Sequence, residues 1–122
     1  MEYRRLGGSG VKVSRVSLGS WLTYGGSVAE ERARACIHKA YELGINFFDT
    51  ANAYMRGAAE EIVGRALKGV ERHSYVVSPR RCSSRWAERL RPLAQAHNRT
   101  QCHASLERLG VDYVDLTLHY TL

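Results

Sequence analysis

Short apolar runs alternate along the chain with segments of helical periodicity. In residues 29–43 the apolar positions recur at the spacing of one helix face, and Gly44 follows where a helix C-cap is expected. Residues 45–49 come next, as a mostly apolar run that ends in Asp49. This run predicts a buried strand of a parallel sheet with a carboxylate at its C-terminal end.

The same alternation extends on both sides of this unit. Near the N-terminus, residues 3–6 and 11–14 flank a Gly-Gly-Ser-Gly turn, which favours a β-hairpin because glycine adopts positive φ at low cost. The remaining predicted elements are a strand at 16–21, a helix around 62–67, a strand at 75–77, a helix at 102–109 and a strand at 113–118. Strands that alternate with helices indicate an α/β fold with a parallel sheet.

Several segments also match a known family in content and order. YRRLGGSGVKVSRVSLGSW begins at Tyr3, INFFDTANAY occupies residues 45–54, AEEIVGRALK begins at Ala59, and QCHASLERLGVDYVDL occupies residues 101–116. In this order they resemble the aldo-keto reductases, and within that family the branch of the potassium-channel β-subunits and their bacterial relatives. The resemblance implies a (β/α)8 TIM barrel that is preceded by an N-terminal β-hairpin.

The length of the chain limits how much of such a barrel it holds. A complete (β/α)8 barrel needs about 250 residues, whereas this chain has 122 and its last predicted strand is the fourth of the barrel. We therefore expect an α/β fold that is the N-terminal half of a TIM barrel, truncated in the fourth strand and open at both sheet edges. On this interpretation residues 1–122 form a partial aldo-keto reductase domain.

The resemblance further implies a chemistry and the residues that perform it. In aldo-keto reductases a Tyr protonates the carbonyl oxygen while NADPH delivers hydride, and an Asp, a Lys and a His tune that Tyr. Such help is needed because a free phenol, with a pKa near 10, donates poorly at neutral pH. Tyr54 matches the acid, and Asp49 matches the carboxylate. The alternatives are a packed aromatic ring for Tyr54 and a loop cap for Asp49.

The other two catalytic positions depart from the family pattern. The Lys falls at Arg80. An arginine is a poor substitute for a tunable ammonium because its planar guanidinium stays charged at any ordinary pH. The His position falls at Tyr120, one residue beyond His119, the candidate in this chain. A one-residue slip in a strand turns a side chain to the opposite face. His119 is therefore a catalytic candidate that lies one residue out of the family register.

The cofactor implied by the resemblance is NADP(H). Gly19, Ser20 and Trp21 would line its nicotinamide side, and Asp49 would approach it. In the family, most contacts to the pyrophosphate and the 2′-phosphate come from the second half of the barrel. The chain has no GxGxxG motif that opens a helix, and its Gly-Gly-Ser-Gly stretch is interpreted as a turn. The implied substrate is a small-molecule carbonyl compound.

Residues 79–100 depart from the alternating pattern. They carry six arginines against one acid, Glu88. A basic patch for an acidic partner and a divergent loop are two interpretations. A shifted reading frame is the third, because codons for residues 79–86 and 91–99 regroup into Thr-Lys-Ala-Val-Phe-Phe-Pro-Met-Gly and Gly-Leu-Ser-Arg-Lys-His-Ile-Thr-Glu, in family order. We favour the shifted frame, with the original frame restored at Gln101.

Composition narrows the remaining function classes. The formal net charge is +6, but residues 79–100 contribute five of these charges, so the basic balance does not indicate a nucleic-acid partner. Three cysteines without CxxC or Cys/His ligand spacing favour a reducing cytoplasm and argue against a zinc site. Neither a signal peptide nor an apolar run of about 20 residues is found, so we predict a cytoplasmic protein without membrane insertion.

Three hypotheses about function remain. The parent is an NADPH-dependent carbonyl reductase, compatible with a homo-oligomer at full length, and this chain is inactive as it stands. Alternatively, the parent is a regulatory barrel like the channel β-subunits, in which cofactor binding serves a partner. In the third hypothesis the chain is a nonfunctional gene fragment.

Overall fold

A computed structural model describes residues 1–21, 24–26, 28–83 and 91–121, and of residues 81–83, 91–97 and 119–121 it describes the backbone alone. A hairpin precedes strands that alternate with helices. The strands are β1 Tyr3–Arg5, β2 Lys12–Ser14, β3 Leu18–Gly19, β4 Phe47–Ala51, β5 Val76–Ser83 and β6 Leu118–Thr121. The helices are α1 Glu30–Glu42, α2 Ala58–Leu67 and α3 Arg91–Leu109, with 3₁₀ turns at Tyr54–Gly57 and Arg72–Ser74.

Strands β3 to β6 form one sheet in the order β3-β4-β5-β6, and all three neighbouring pairs are parallel. The hairpin β1-β2 forms a separate antiparallel pair. Within the described parts of the chain the four-stranded sheet is not closed. Its parallel order and connecting helices are those of part of a (β/α)8 barrel, so the predicted fold class is confirmed.

The core lies between the helices and one face of this sheet. Ile37 of α1, Val63 of α2 and Phe48 of β4 are almost completely buried there. The ring of Phe48 meets the ring of Tyr75 edge to face, with centroids 6.2 Å apart. Each buried side chain of this size stabilises the fold by roughly 1.5–3 kcal/mol. Asp49 and Arg80 lie on the other face of the sheet.

A glycine sets the distance between two of the helices. A Cβ atom placed on Gly64 in α2 would lie 2.4 Å from the carbonyl oxygen of Leu109, at the C-terminal end of α3. Glycine in a helix interior costs about 0.5–1 kcal/mol relative to alanine. The close approach of the α3 backbone explains why a glycine occupies this position.

The hairpin is attached to the N-terminal end of β4 through one amide side chain. Asn46 Oδ1 accepts a hydrogen bond from the backbone N–H of Ser14 at 2.7 Å, and Asn46 Nδ2 donates to the carbonyl of Lys12 at 3.0 Å. The hydroxyl of Tyr3 donates to the carbonyl of Gly44 at 2.7 Å. Asn46, a polar residue within the predicted strand at 45–49, therefore binds the hairpin.

Several of the sequence-based boundaries were wrong. The strand predicted at 113–118 lies at Leu118–Thr121, the helix predicted at 102–109 begins at Arg91, and the strand predicted at 75–77 extends to Ser83. Before β6, the carboxylate of Asp115 accepts hydrogen bonds from the Val77 N–H and from Arg72, so a side chain replaces the strand ladder there. The first strand of the sheet is also shorter than predicted, since it contains Leu18 and Gly19 only.

The longest helix, α3, has 19 residues and is rich in polar side chains. In the regions for which the structure gives helices, none has both the length and the apolar character that crossing a bilayer demands.

Candidate functional site

The centre of the candidate site is an ion pair across two neighbouring strands. The Nε atom of Arg80 donates a hydrogen bond to Oδ1 of Asp49 at 2.9 Å, and the two side chains are 37% and 16% exposed. The register explains the contact, because Asp49 pairs with Ser78, two residues before Arg80 on the same strand. Side chains two residues apart on a strand share one face. Residues far apart in sequence thus meet on one face of the β4-β5 pair, within both strands.

Strand β3 contributes backbone rather than side-chain groups beside Asp49. Gly19 is its partner in the β3-β4 register, and the N–H of Ser20 donates to the carbonyl of Asp49 at 3.1 Å. A Cβ atom on Gly19 would meet no other atom within 4 Å, so the space beside its backbone is open. The hydroxyl of Ser20 is buried and has no hydrogen-bond partner in the described parts of the chain.

The two aromatic residues of the predicted site meet each other. The rings of Trp21 and Tyr54 are stacked, with centroids 6.1 Å apart and planes at 24°. Trp21 follows β3 and Tyr54 follows β4, so both belong to loops at the carboxyl ends of the strands. Tyr54 is indeed packed against an aromatic ring, yet Trp21 is 65% exposed. The Trp21 side of the stack is therefore open to solvent, and Tyr54 is half-buried against the core.

Tyr54 begins a turn with an uncommon backbone. Met55 and Arg56, the two residues after it, have φ angles of 48° and 56°, and Gly57 has a φ of 94°. Residues other than glycine seldom adopt this left-handed conformation. The position of Tyr54 thus depends on a turn in which Met55 and Arg56 adopt a backbone conformation that neither residue type favours.

The histidine candidate lies in β6, where the backbone of His119 pairs with that of Arg81. Leu118 pairs with Arg80, the residue that binds Asp49. The side chains of His119 and Tyr120 lie outside the described residues. Of the predicted set, the structure brings together Asp49 with the backbone of residues 19–20, and Trp21 with Tyr54.

Two polar contacts behind Tyr54 were not predicted. Glu60, in the first turn of α2, is fully buried and pairs with Arg108 of α3 at 2.6 Å. Asn52 Nδ2 donates to the Oε1 atom of Gln101, also in α3, at 2.9 Å. A sequence signal for Glu60 exists, since it shares the helix face of the buried Val63 at i+3, and a charge on a buried face requires a partner.

The four predicted cofactor contacts fit one part of NADP(H) only. Gly19, Ser20 and Trp21 are uncharged and Asp49 is an anion, so none of them can neutralise a phosphate. The open space at Gly19 and the exposed ring of Trp21 suit a flat, uncharged or cationic ring such as nicotinamide. Within the described residues, no three His, Cys, Asp or Glu side chains converge as a metal site.

Comparison with known proteins agrees with this geometry. The sequence pattern of the Aldo/keto reductase family matches residues 15–120, which include Asp49, Tyr54 and Arg80. The chain belongs to the aldo-keto reductase family. Membership of this family explains why the sequence segments resemble aldo-keto reductases and why the sheet is part of a barrel.

Solved aldo-keto reductases share its fold. The holo form of the aldo-keto reductase AKR11C1 from Bacillus halodurans superimposes with a TM-score of 0.79 at 31% identity, over 98% of this chain and 40% of that one. An aldo-keto reductase from Klebsiella pneumoniae in complex with NADPH gives a TM-score of 0.72 at 31% identity, over 91% of this chain and 37% of that one. The chain thus spans about 40% of the length of these reductases.

Proposed function

We propose that this chain supplies the proton-donor side of an NADP(H)-dependent carbonyl reductase, in which Tyr54 protonates the oxygen of an aldehyde or ketone. The observation that carries the proposal is the Arg80–Asp49 ion pair beside β3, with the stacked Trp21 and Tyr54 rings in the adjacent loops. Barrel enzymes have their active sites at the carboxyl ends of the strands. Trp21 and Tyr54 lie in the loops that follow β3 and β4, and Asp49 and Arg80 lie within β4 and β5.

The bound cofactor would supply hydride to the carbonyl carbon, and the phenol of Tyr54 would give its proton to the oxygen, so that the product is an alcohol. A phenol needs a nearby cation to donate at neutral pH. Arg80 occupies the position of the cation but is held against Asp49 and has a planar, permanently charged head. We infer that it tunes Tyr54 poorly and that the chain as it stands is inactive.

The cofactor proposal is restricted to the nicotinamide end. Gly19, Ser20 and Trp21 would face the ring, and Asp49 would lie beside it. Support comes from the open space at Gly19 and from the relative in complex with NADPH. Since these four residues offer no cation to the phosphates, binding by the 122-residue chain alone is expected to be weak.

The test compares the chain with a full-length parent in which residue 80 is Lys. The parent is assayed for NADPH-dependent reduction of 4-nitrobenzaldehyde, and Tyr54→Phe is its decisive variant. We expect the variant to lose at least the 10²–10⁴-fold contribution of a positioned acid, about 3–5 kcal/mol of barrier, with NADPH affinity nearly unchanged because the ring remains. Retention of more than about a tenth of the activity would remove Tyr54 from this role.

The second candidate is a regulatory barrel, which the order of the segments resembling the channel β-subunits favours. In that case a full-length parent binds NADPH with saturable quenching of tryptophan fluorescence and turns over no carbonyl substrate. Turnover that depends on Tyr54 excludes this alternative. The third hypothesis, a nonfunctional gene fragment, is tested at the level of the gene.

A further inference from the structure

The turn that carries Tyr54 is strained. Met55 has φ 48° and ψ 40°, and Arg56 has φ 56° and ψ 36°, so two successive residues with side chains are left-handed. Such a conformation persists only where the surrounding structure over-determines it. The contacts around Tyr54–Gly57 therefore show what keeps the tyrosine in place.

One face of α3 binds the chain on both sides of this turn. Before the turn, Asn52 Nδ2 donates to Gln101 Oε1 at 2.9 Å. After it, Arg108 Nε donates to Glu60 Oε2 at 2.6 Å. Gln101 and Arg108 are seven residues apart, two helical turns, and Ser105 between them accepts a 3.3 Å hydrogen bond from Arg108 Nη2. The polar face Gln101, Ser105 and Arg108 thus holds both ends of the segment 52–60.

The Arg108 contact is the stronger of the two anchors. Glu60 is 0% exposed, and a buried carboxylate is tolerated only when it is paired and hydrogen-bonded. The aliphatic stem of Arg108 also lies against the turn itself, since a Cβ atom on Gly57 would be 2.7 Å from Arg108 Cδ. Arg108 therefore contacts Gly57, the last residue of the turn, and neutralises the carboxylate of Glu60 in the helix that follows.

The opposite side of the turn rests on two glycines. Cβ atoms built on Gly25 and Gly26 would lie 3.2 Å from Cβ and 3.1 Å from Cε of Met55, respectively. Met55 therefore packs on the backbone of the β3–α1 loop, while α3 holds the other side. The turn is confined between these two surfaces.

We propose that Arg108, through Glu60, and Gln101, through Asn52, are positioning residues that hold Tyr54 against Trp21. Neither side chain belongs to the proposed proton-transfer set, so their effect passes through the turn. The importance of this positioning for catalysis rests on the proposed function. The placement of Tyr54 itself can be measured without substrate or cofactor.

The experiment uses the near-ultraviolet circular dichroism of Trp21 in the 122-residue chain with Trp86→Phe, which leaves one tryptophan. Tyr54→Ala defines the spectrum of Trp21 without its stacking partner. Arg108→Leu and Gln101→Leu are expected to move the spectrum most of the way toward that reference, with unchanged far-ultraviolet spectra. Arg108→Lys, which retains the charge opposite Glu60, is expected to restore most of the native signal.

The matched control is His103→Ala, an exposed change in the same helix, which is expected to leave the Trp21 spectrum native. A native Trp21 spectrum in Arg108→Leu and Gln101→Leu would overturn the proposal. If Arg108→Leu does not fold, Gln101→Leu decides: a native Trp21 spectrum in that variant overturns the proposal, and a shift toward the Tyr54→Ala spectrum supports it. Failure of the reductase assay leaves these spectra unaffected, so the two proposals fail separately.

Discussion

Asp49 accepts a hydrogen bond from Arg80 at 2.9 Å, across the parallel pair β4-β5. The contact joins two side chains that the resemblance to the family assigns to the site. Because Asp49 is 16% exposed and Arg80 37% exposed, the pair is partly shielded from water. The Nε–H group of Arg80 donates to Asp49, so the guanidinium is already paired with the carboxylate before any substrate binds.

We predict that Arg80→Lys is the single change that most increases reductase activity in a full-length parent carrying this site. A lysine retains the partner for Asp49, and its compact ammonium can also approach the phenol of Tyr54. Since a positioned acid contributes about 10²–10⁴-fold, we expect kcat to rise by at least about tenfold. The measurement is NADPH oxidation with 4-nitrobenzaldehyde, with Arg80→Gln as the uncharged control. Equal kcat in the Arg80, Lys and Gln enzymes would show that residue 80 does not tune the acid.

A second prediction concerns the packing of α2 on α3. Gly64→Ala would put a Cβ atom 2.4 Å from the carbonyl oxygen of Leu109, and a backbone atom cannot yield as a side chain can. Alanine gains about 1 kcal/mol of helix propensity, but overpacking typically costs about 1–3 kcal/mol and is more severe against backbone. We therefore expect a lower urea midpoint. Gly10→Ala is the control, because its Cβ would meet no atom within 4 Å; a midpoint for Gly64→Ala at or above wild type contradicts the prediction.

Periodic apolar residues predicted the first helix well. The predicted range 29–43 and the observed Glu30–Glu42 differ by one residue at each end, since an apolar face and Gly44 mark it clearly. The strand predicted at 45–49 lies at Phe47–Ala51 instead. The start of the chain segment is used elsewhere: the N–H of Ile45 bonds to Ala40 in the last turn of α1, and the side chain of Asn46 binds the hairpin. Pairing with β5 begins with the carbonyl of Asn46, which accepts from the N–H of Val76 at 2.7 Å.

The start of α3 and the contacts around Tyr54 could not be predicted in the same way. The face of α3 that touches the Tyr54 segment is polar, with Gln101, Ser105 and Arg108, and a hydrophobic pattern does not mark a buried polar face. The family resemblance assigned Asp49 and residue 80 to the same site, and in the structure their side chains meet. A left-handed Met55 has no signal in the sequence, since side-chain residues rarely adopt that backbone.

The pH dependence of stability is expected to include one acidic transition from Glu30. Arg65 donates to both carboxylate oxygens of Glu30, at 2.7 and 3.0 Å, and thereby lowers the pKa of Glu30 in the folded chain. The unfolded chain therefore takes up the proton first as the pH falls. Stability from this pair is complete above the ordinary glutamate pKa and is lost as the pH falls through the lowered folded value.

The check is the urea midpoint between about pH 7 and about pH 3 in wild type, Glu30→Gln and Glu31→Gln. Glu30→Gln should flatten the acidic decline, whereas Glu31→Gln should preserve it because the Glu30–Arg65 pair remains. An unchanged decline in Glu30→Gln would assign the acid sensitivity to other carboxylates.

The last prediction concerns residues 79–100 and the gene that encodes them. The structure describes the beginning of this stretch as part of β5 and its end as part of α3, with residues 84–90 outside the described part. Both flanks can form barrel elements even if the codons between them are read in another frame. The backbone hydrogen bonds of strands and helices form whatever most of the side chains are. The structure does not test the shifted reading frame, which stays a prediction.

Sequencing the locus and its transcript tests that prediction. We expect single-base differences near Ser78, Ala87 and Thr100, and a corrected frame with Lys at position 80. The corrected segment would replace a guanidinium beside Asp49 by an ammonium and remove most of the excess positive charge of the chain. A transcript that reproduces the arginine-rich codons without such differences would establish Arg80 as the native partner of Asp49. In that case the proposal that Arg80 tunes Tyr54 poorly requires the full-length enzyme with Arg80 to be inactive.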